Sequence, residues 1–350
     1  MDGTAGAAGG SSGRPARPVT IHDVARAAGV STSTVSRVLD ERLPPSRSAA
    51  AQRVREAATT LGYTRDVYAA SLRRQGTNTI GVLVPRLSDT VMAILYEELA
   101  TACEQRSRFA VVATTQEDRA AERAAAESLL RRRVDGLVMT TARSDDDFPA
   151  ELRARGVPHV LALRTDGVSA SSVGDDELGG YLATRHLLDL GHRRVALVAG
   201  PDYASSARNR RAGYHRAMAE QGVDAGPELV RESGFSIDAG EDTGHALLTH
   251  APRPTAIFAV NDNTAIGVMA AAHRLNLRVP EDLSVVGYND IPLVSRLPVP
   301  LTSVKVPFHL IAAEALNLLL APPRAGEQAV HVCTPTLIPR ASTTRPAAGT

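Results

Sequence analysis

From Thr77 onward, short and continuously apolar runs alternate with helical patterns, and this alternation narrows the possible folds more than any other feature. The runs occupy residues 80–84, 110–114, 137–140, 160–163, 195–199, 256–260 and 283–286, with helical stretches at 120–132, 180–190, 208–221 and 264–275. A strand covered on both faces reads as an unbroken apolar run. Strands separated by helices pair in parallel, with the helices layered on the sheet. The body of the chain is therefore expected to be α/β.

The 350 residues suffice for two or three domains with sizeable cores. A net charge of +1 hides an uneven distribution: between Arg14 and Gly76 eleven arginines face five acids, net +6, whereas from Thr77 onward 28 basic and 32 acidic residues leave −4. One end can thus favour phosphates while the body stays solvated. The only cysteines, Cys103 and Cys333, are too few and too far apart in sequence for a disulfide framework, and buried thiols in a reducing compartment are expected. Residues 1–17 are rich in Gly, Ala and Ser and read as a disordered tail without a signal-peptide core. No run approaches the roughly 18 apolar residues of a membrane span, so a cytoplasmic protein without a membrane partner is expected.

Within the basic head, Thr20 is placed to start a helix that Asp23 favours electrostatically, with Ile21, Val24, Ala25 and Ala28 on one face. Gly29 permits the turn and Val30 plugs it. Ser31 caps a second helix whose Val35, Val38 and Leu39 face inward, leaving Thr32, Ser33, Ser36 and Arg37 outward. A third helix is expected over 49–61, with Val54, Ala57, Ala58 and Leu61 inward and Gly62 as its stop. Composition alone fits an ordinary three-helix domain with solvated arginines equally well.

The run from Thr20 to Leu39, Thr-Ile-His-Asp-Val-Ala-Arg-Ala-Ala-Gly-Val-Ser-Thr-Ser-Thr-Val-Ser-Arg-Val-Leu, together with Leu61-Gly62-Tyr63, closely resembles the headpiece of the LacI/GalR family of transcription regulators. The resemblance implies a helix-turn-helix headpiece over 18–63, a hinge over 64–76, and contacts to double-stranded operator DNA by Thr20, Thr32, Ser33, Thr34, Ser36, Arg37, Tyr63, Ala69 and Leu72. It gives base reading to Thr32, Ser33 and Arg37, and makes Leu72 the wedge that enters the minor groove. The chain departs from the family pattern between Leu39 and Val54, and Arg65 stands where the family's hinge proline is usual. One recognition helix reads few base pairs, so a near-palindromic operator and a homodimer, or a higher oligomer, are expected.

The resemblance continues through Val134-Asp135-Gly136-Leu137, Gly191-His192-Arg193-Arg194-Val195, Asn261-Asp262-Asn263, Val286-Gly287-Tyr288-Asn289-Asp290 and Leu301-Thr302-Ser303-Val304. It implies an all-α headpiece joined to an α/β, two-lobed sensor domain of the periplasmic-binding-protein type I fold. The sensor spans 77–345, with lobe 1 at 77–169 and 303–334, lobe 2 at 170–302 and 335–345, one of three crossovers beside Ser303, and a tail at 346–350. Ligands of such sheets sit beyond the strand C-termini. The family positions that would hold a small-molecule effector are Asp89, Val91, Met92, Arg208, Phe235, Asn261 and Asn289. Without the resemblance, Arg208 reads as a surface charge and Phe235 as core, while Asn261 and Asp262 equally suit helix capping.

Val91 and Met92 replace the aromatic pair with which purine-sensing members stack a base, so a purine effector is not expected. Leu163 stands where sugar-sensing members often carry Asp; a sugar remains the expected effector class, and repression the expected mode. The chain lacks the glycine-rich signatures of dinucleotide and nucleoside-triphosphate sites and the nucleophile elbow of hydrolases. Its ten histidines are scattered without metal-ligand spacing. No catalysis, cofactor or metal is expected. An exported solute-binding protein would share the sensor fold but carry a signal peptide in place of the basic head.

Overall fold

The computed structural model describes residues 19–39, 44, 46–63, 76–323 and 329–347. The expected tail 1–17, the hinge residues Thr64, Arg65, Asp66, Ala69 and Leu72, and part of the departure after Leu39 lie outside these described residues. Contacts divide the chain into two compact units, Met1–Gln75 and Gly76–Thr350.

The first unit has helices α1 (Ile21–Ala28), α2 (Thr32–Val38) and α3 (Ala49–Leu61). Their starts, and the ends of α1 and α3, fall where capping chemistry dictates. The Asp23 carboxylate accepts from the N–H and the hydroxyl of Thr20, at 2.9 and 2.7 Å. Gly29 takes φ 64°, and Val30 N–H closes onto the Ala25 carbonyl at 3.1 Å. Ser31 and Ser48 cap α2 and α3 by accepting from Thr34 and Ala51 N–H, and Gly62 ends α3 at φ 65°. Val24, Ala25, Ala28, Val35, Val54 and Ala58 form the core between them. Leu61, expected inside, is exposed.

In the second unit the described strands make two six-stranded sheets. Lobe 1 contains β1 (Thr79–Val84), β2 (Phe109–Thr114), β3 (Gly136–Met139), β4 (His159–Ala162), β5 (Ser171–Gly174) and β11 (Val330–Cys333). Their order is β11-β5-β4-β3-β1-β2, with every pairing parallel. Lobe 2 contains β6 (Val195–Ala199), β7 (Val230–Glu232), β8 (Ala256–Ala259), β9 (Ser284–Asn289), β10 (Thr302–Lys305) and β12 (Thr336–Ile338). These run in the order β12-β10-β9-β8-β6-β7, antiparallel only between β10 and β12. Helices α4 (Thr90–Glu104), α5 (Arg119–Arg131), α6 (Phe148–Ala154) and α11 (Phe308–Leu320) belong to lobe 1. Lobe 2 has α7 (Asp176–Asp189), α8 (Ser205–Glu220), α9 (Ile237–Thr249) and α10 (Asp262–Arg274).

The strand pairings correct two lobe boundaries. Residues 171–174 pair with β11 along their length and with β4 through Ser171 and Ser172, so lobe 1 continues through Gly174 and does not end at 169. Residues 302–305 pair with β9, so lobe 2 continues through Lys305 and does not end at 302. A strand belongs to the sheet that satisfies its backbone hydrogen bonds, and β5, Ser-Ser-Val-Gly, carries no apolar run to announce it. The third crossover falls between Cys333 and Thr336.

The approach of α7 to α8 shapes the site. A Cβ on Gly180 would lie 2.2 Å from the Arg210 carbonyl oxygen, and one on Gly213 would lie 2.0 Å from that of Glu177. Only glycine at both positions lets the two backbones meet. This contact sets the start of α7 against the first half of α8.

Candidate functional site

A cleft between the two lobes is walled by the C-terminal ends of their strands and the loops that follow, as expected for parallel sheets. Lobe 1 contributes Asp89, Val91 and Met92 after β1, Thr140 after β3, and Leu163 and Arg164 after β4. Lobe 2 contributes Asp176, Arg210, Phe235, Asn261 and Asn289. The cleft encloses about 50 Å³, room for a few waters.

Its most buried polar feature is the set Asp176, Arg210 and Tyr288. Arg210 Nε donates to Asp176 Oδ1 at 2.8 Å, Nη1 donates to the Val260 carbonyl at 2.8 Å, and the guanidinium lies 3.7 Å from the Tyr288 ring centre. Tyr288 also donates to Asp176 Oδ1, at 3.1 Å. Burial penalises both charges, but for Arg210 the adjacent carboxylate outweighs it and holds the guanidinium proton more firmly than in free arginine.

Opposite, Arg164 reaches in from lobe 1 with its guanidinium 5.3 Å from the Phe235 ring centre and 5.7 Å from that of Tyr203. Its nearest carboxylate oxygen, Glu117 Oε1, is 3.9 Å away, and the other oxygen of Glu117 accepts from Tyr203 at 3.1 Å. Burial lowers the Arg164 pKa, and Glu117 opposes that only in part.

The turn carrying Asn289 is held from below. Asn289 and Asp290 have φ of 108° and 56°, a left-handed backbone that costs non-glycine residues of order 1–3 kcal/mol. Asp262 accepts from Ile291 N–H at 2.8 Å and from Ser303 Oγ at 2.6 Å, and Ser303 Oγ in turn accepts from Asp290 N–H at 3.1 Å. Burial pushes the Asp262 carboxyl up to about 7.

Six of the seven expected effector positions thus share one cleft: Asp89, Val91, Met92, Phe235, Asn261 and Asn289. Arg208 does not. It bridges the lobes outside the cleft, donating to Ser144 Oγ at 2.9 Å and to the Asp202 carbonyl at 2.7 Å. Two positions on an α-helix turn a side chain by about 200°, and the buried stripe Ala207, Arg210, Tyr214 and Ala217 runs through Arg210. That i, i+3, i+7 pattern is the signal by which the inward arginine is recognised. Asn261 lines the cleft while also capping α10, with Oδ1 accepting from Thr264 N–H at 2.8 Å and Nδ2 donating to the Phe235 carbonyl at 3.0 Å. Asp89 likewise caps α4 through Val91 N–H at 3.0 Å, and burial raises its pKa.

In the headpiece, Ser33 and Arg37 stand exposed on α2, with Thr32, Thr34 and Ser36 half-buried beside them. The hydroxyls of Ser33 and Thr34 lie 2.8 and 2.9 Å from Ser31 Oγ. Thr20 is half-buried at the start of α1, and Tyr63 packs on the headpiece core.

The sequence similarities extend over both units. The family model for bacterial regulatory proteins of the lacI family matches residues 20–66, and a periplasmic binding protein-like domain matches residues 184–343. The ribose operon repressor of Escherichia coli strain K12 is 34% identical over 329 residues, covering 92% of this chain and 99% of that protein. The chain belongs to the lacI family. Among lacI-family structures, the lac repressor dimer bound to operator and the anti-inducer ONPF aligns with a TM-score of 0.84 at 31% identity, covering 94% of this chain and 100% of that one. A LacI family regulator from Enterococcus faecium with bound ribose aligns with a TM-score of 0.66 at 27% identity, covering 76% and 99% of the two chains. Within this lacI-family sensor, sequence reasoning did not find Arg164, Asp176 and Arg210 as cleft residues, because each is a charge whose inward direction is set by tertiary packing. Among the described residues, no helix is long and apolar enough to cross a membrane.

Proposed function

We propose that this chain is a cytoplasmic, sugar-responsive transcriptional repressor that acts by binding and not by catalysis. The observation that carries the reading is the joint presence, in one lacI-family chain, of a capped helix-turn-helix and a two-lobed cleft with Arg210, Asp176, Asn289 and Phe235 on its walls. Paired charges and amide groups suit sugar hydroxyls, and an aromatic ring suits the apolar face of a sugar. In this reading α2 enters the major groove of a near-palindromic operator, with Thr32, Ser33 and Arg37 reading bases and the other headpiece contacts setting register. Leu72 wedges the minor groove.

A homodimer supplies the two-fold symmetry that such an operator requires. An apolar groove on lobe 2, with Met269, Leu277, Leu297 and Val299 in its wall, supports contact with a second copy, as does the similarity to the lac repressor dimer. Because residues of both lobes line the cleft, an effector held there would couple its binding to lobe geometry and so to the spacing of the two headpieces, with a coupling free energy of about 1–3 kcal/mol.

Fluorescence anisotropy against a randomised operator library, repeated with a panel of sugars, tests this. Two-fold symmetric selected sites, salt-sensitive binding and an effector-dependent affinity shift are expected. Monomeric binding to a single half-site at full affinity, or no response to any sugar or sugar derivative, refutes it.

A further inference from the structure

Arg164 is a buried cation of the cleft whose ion pair, to Glu117, is long at 3.9 Å. Its side chain is 8% exposed, yet among the described residues no oxygen accepts a hydrogen bond from it. The contrast with Arg210 is direct, since that guanidinium meets Asp176 and the Val260 carbonyl at hydrogen-bond distance. A buried guanidinium costs free energy unless acceptors and negative charge surround it. Here the rings of Tyr203 and Phe235 hold it from lobe 2, while Glu117 stays at 3.9 Å and shares its charge with the Tyr203 hydroxyl.

We infer that Arg164 receives an anionic group of the effector, a phosphate or carboxylate carried on a sugar. The inference rests on the sugar-sensing reading and narrows it. Five N–H donors in a planar fork match the oxygens of either anion. The neighbouring acids do not forbid such a group. Asp89 accepts from Val91 N–H at the start of α4, and Glu117 accepts from the Tyr203 hydroxyl with its other oxygen 3.9 Å from Arg164. Both remain available to accept from sugar hydroxyls, so the lobe-1 wall recognises a polyol at one end and an anion at the other.

Calorimetric titration of the full-length protein tests the assignment with D-ribose, D-glucose, ribose 5-phosphate, glucose 6-phosphate, D-gluconate and D-glucuronate. At least one charged sugar is expected to bind roughly 10- to 100-fold tighter than its neutral parent, the ratio that charge-assisted hydrogen bonds supply. The phosphate and carboxylate arms show which anion is meant. Arg164→Gln should abolish the preference of a charged sugar over its neutral parent while leaving effector-free operator binding unchanged within about threefold, and Arg164→Lys should keep part of it. Neutral sugars binding as tightly as charged ones, or a preference that survives Arg164→Gln, overturns the inference but leaves sugar sensing intact. No binding anywhere in the panel overturns both. The wild-type comparison is decisive even if the Gln variant does not fold.

Discussion

Replacing Arg210 with Met keeps an unbranched side chain on α8 but strands Asp176, which is 4% exposed, with Tyr288 as its remaining side-chain donor. The variant loses a charge-assisted hydrogen bond to Asp176, a second to the Val260 carbonyl, and a cation placed over the Tyr288 ring. Bonds to charged groups contribute about 1.5–3 kcal/mol each, but these losses are not independent. Breaking a buried pair by removing one partner typically costs about 3–5 kcal/mol, which we take as the expected destabilisation.

For lobes of this size about 1 kcal/mol moves the thermal midpoint by roughly 2–4 °C, so a fall near 10 °C is expected. The loss should shrink at low pH. Burial raises the pKa of Asp176, so once the guanidinium is gone the carboxyl is neutral in the fold below its raised pKa and costs stability as pH climbs through it. Replacing Asp176 with Leu in the same background should recover part of the midpoint, because the stranded charge is then removed. The chain has no tryptophan, so unfolding is followed by far-ultraviolet circular dichroism at pH 5 and pH 8. A midpoint within about 2 °C of wild type at both values, or a double variant worse than Arg210→Met, would refute the reasoning.

Three further outcomes are expected. Asp262→Asn should flatten the pH dependence of stability: with a folded-state pKa of about 7, well above the usual carboxylate range, wild type should lose stability between roughly pH 4 and pH 7 as the buried carboxyl ionises, and thermal melts across that range read the difference. Gly213→Ala places a methyl 2.0 Å from the Glu177 carbonyl oxygen; α7 and α8 must part, at about 1–3 kcal/mol, and calorimetry should show weakened effector binding because Asp176 and Arg210 sit on those two helices. Arg37→Ala should lower specific operator affinity by about 1–3 kcal/mol while reducing non-specific binding much less, as read by anisotropy with operator and scrambled duplexes.

The sequence by itself determined what depends on neighbours along the chain. Thr20, Gly29, Ser31 and Gly62 bound the headpiece helices where their side chains or permissive backbones demand, because capping is complete within a few residues. The apolar strands β1, β3, β4, β6, β8 and β9 were legible for a similar reason: strands buried on both faces must be apolar throughout. Tertiary structure decided the rest. Ser171 and Ser172 are buried in β5 only because β4 and β11 enclose them, and nothing in Ser-Ser-Val-Gly announces it. Six cleft positions could be named from the sequence, but the arginine was misplaced by one half-turn of helix, Arg208 for Arg210. Which of several adjacent charges turns inward is fixed by the partner that neutralises it, here Asp176, brought to Arg210 across 34 residues by the glycine contacts of α7 and α8. Arg164 makes the same point from the opposite wall: its sequence neighbourhood reads as the end of a strand, and only the closing of lobe 2 over it leaves a buried cation facing the cleft.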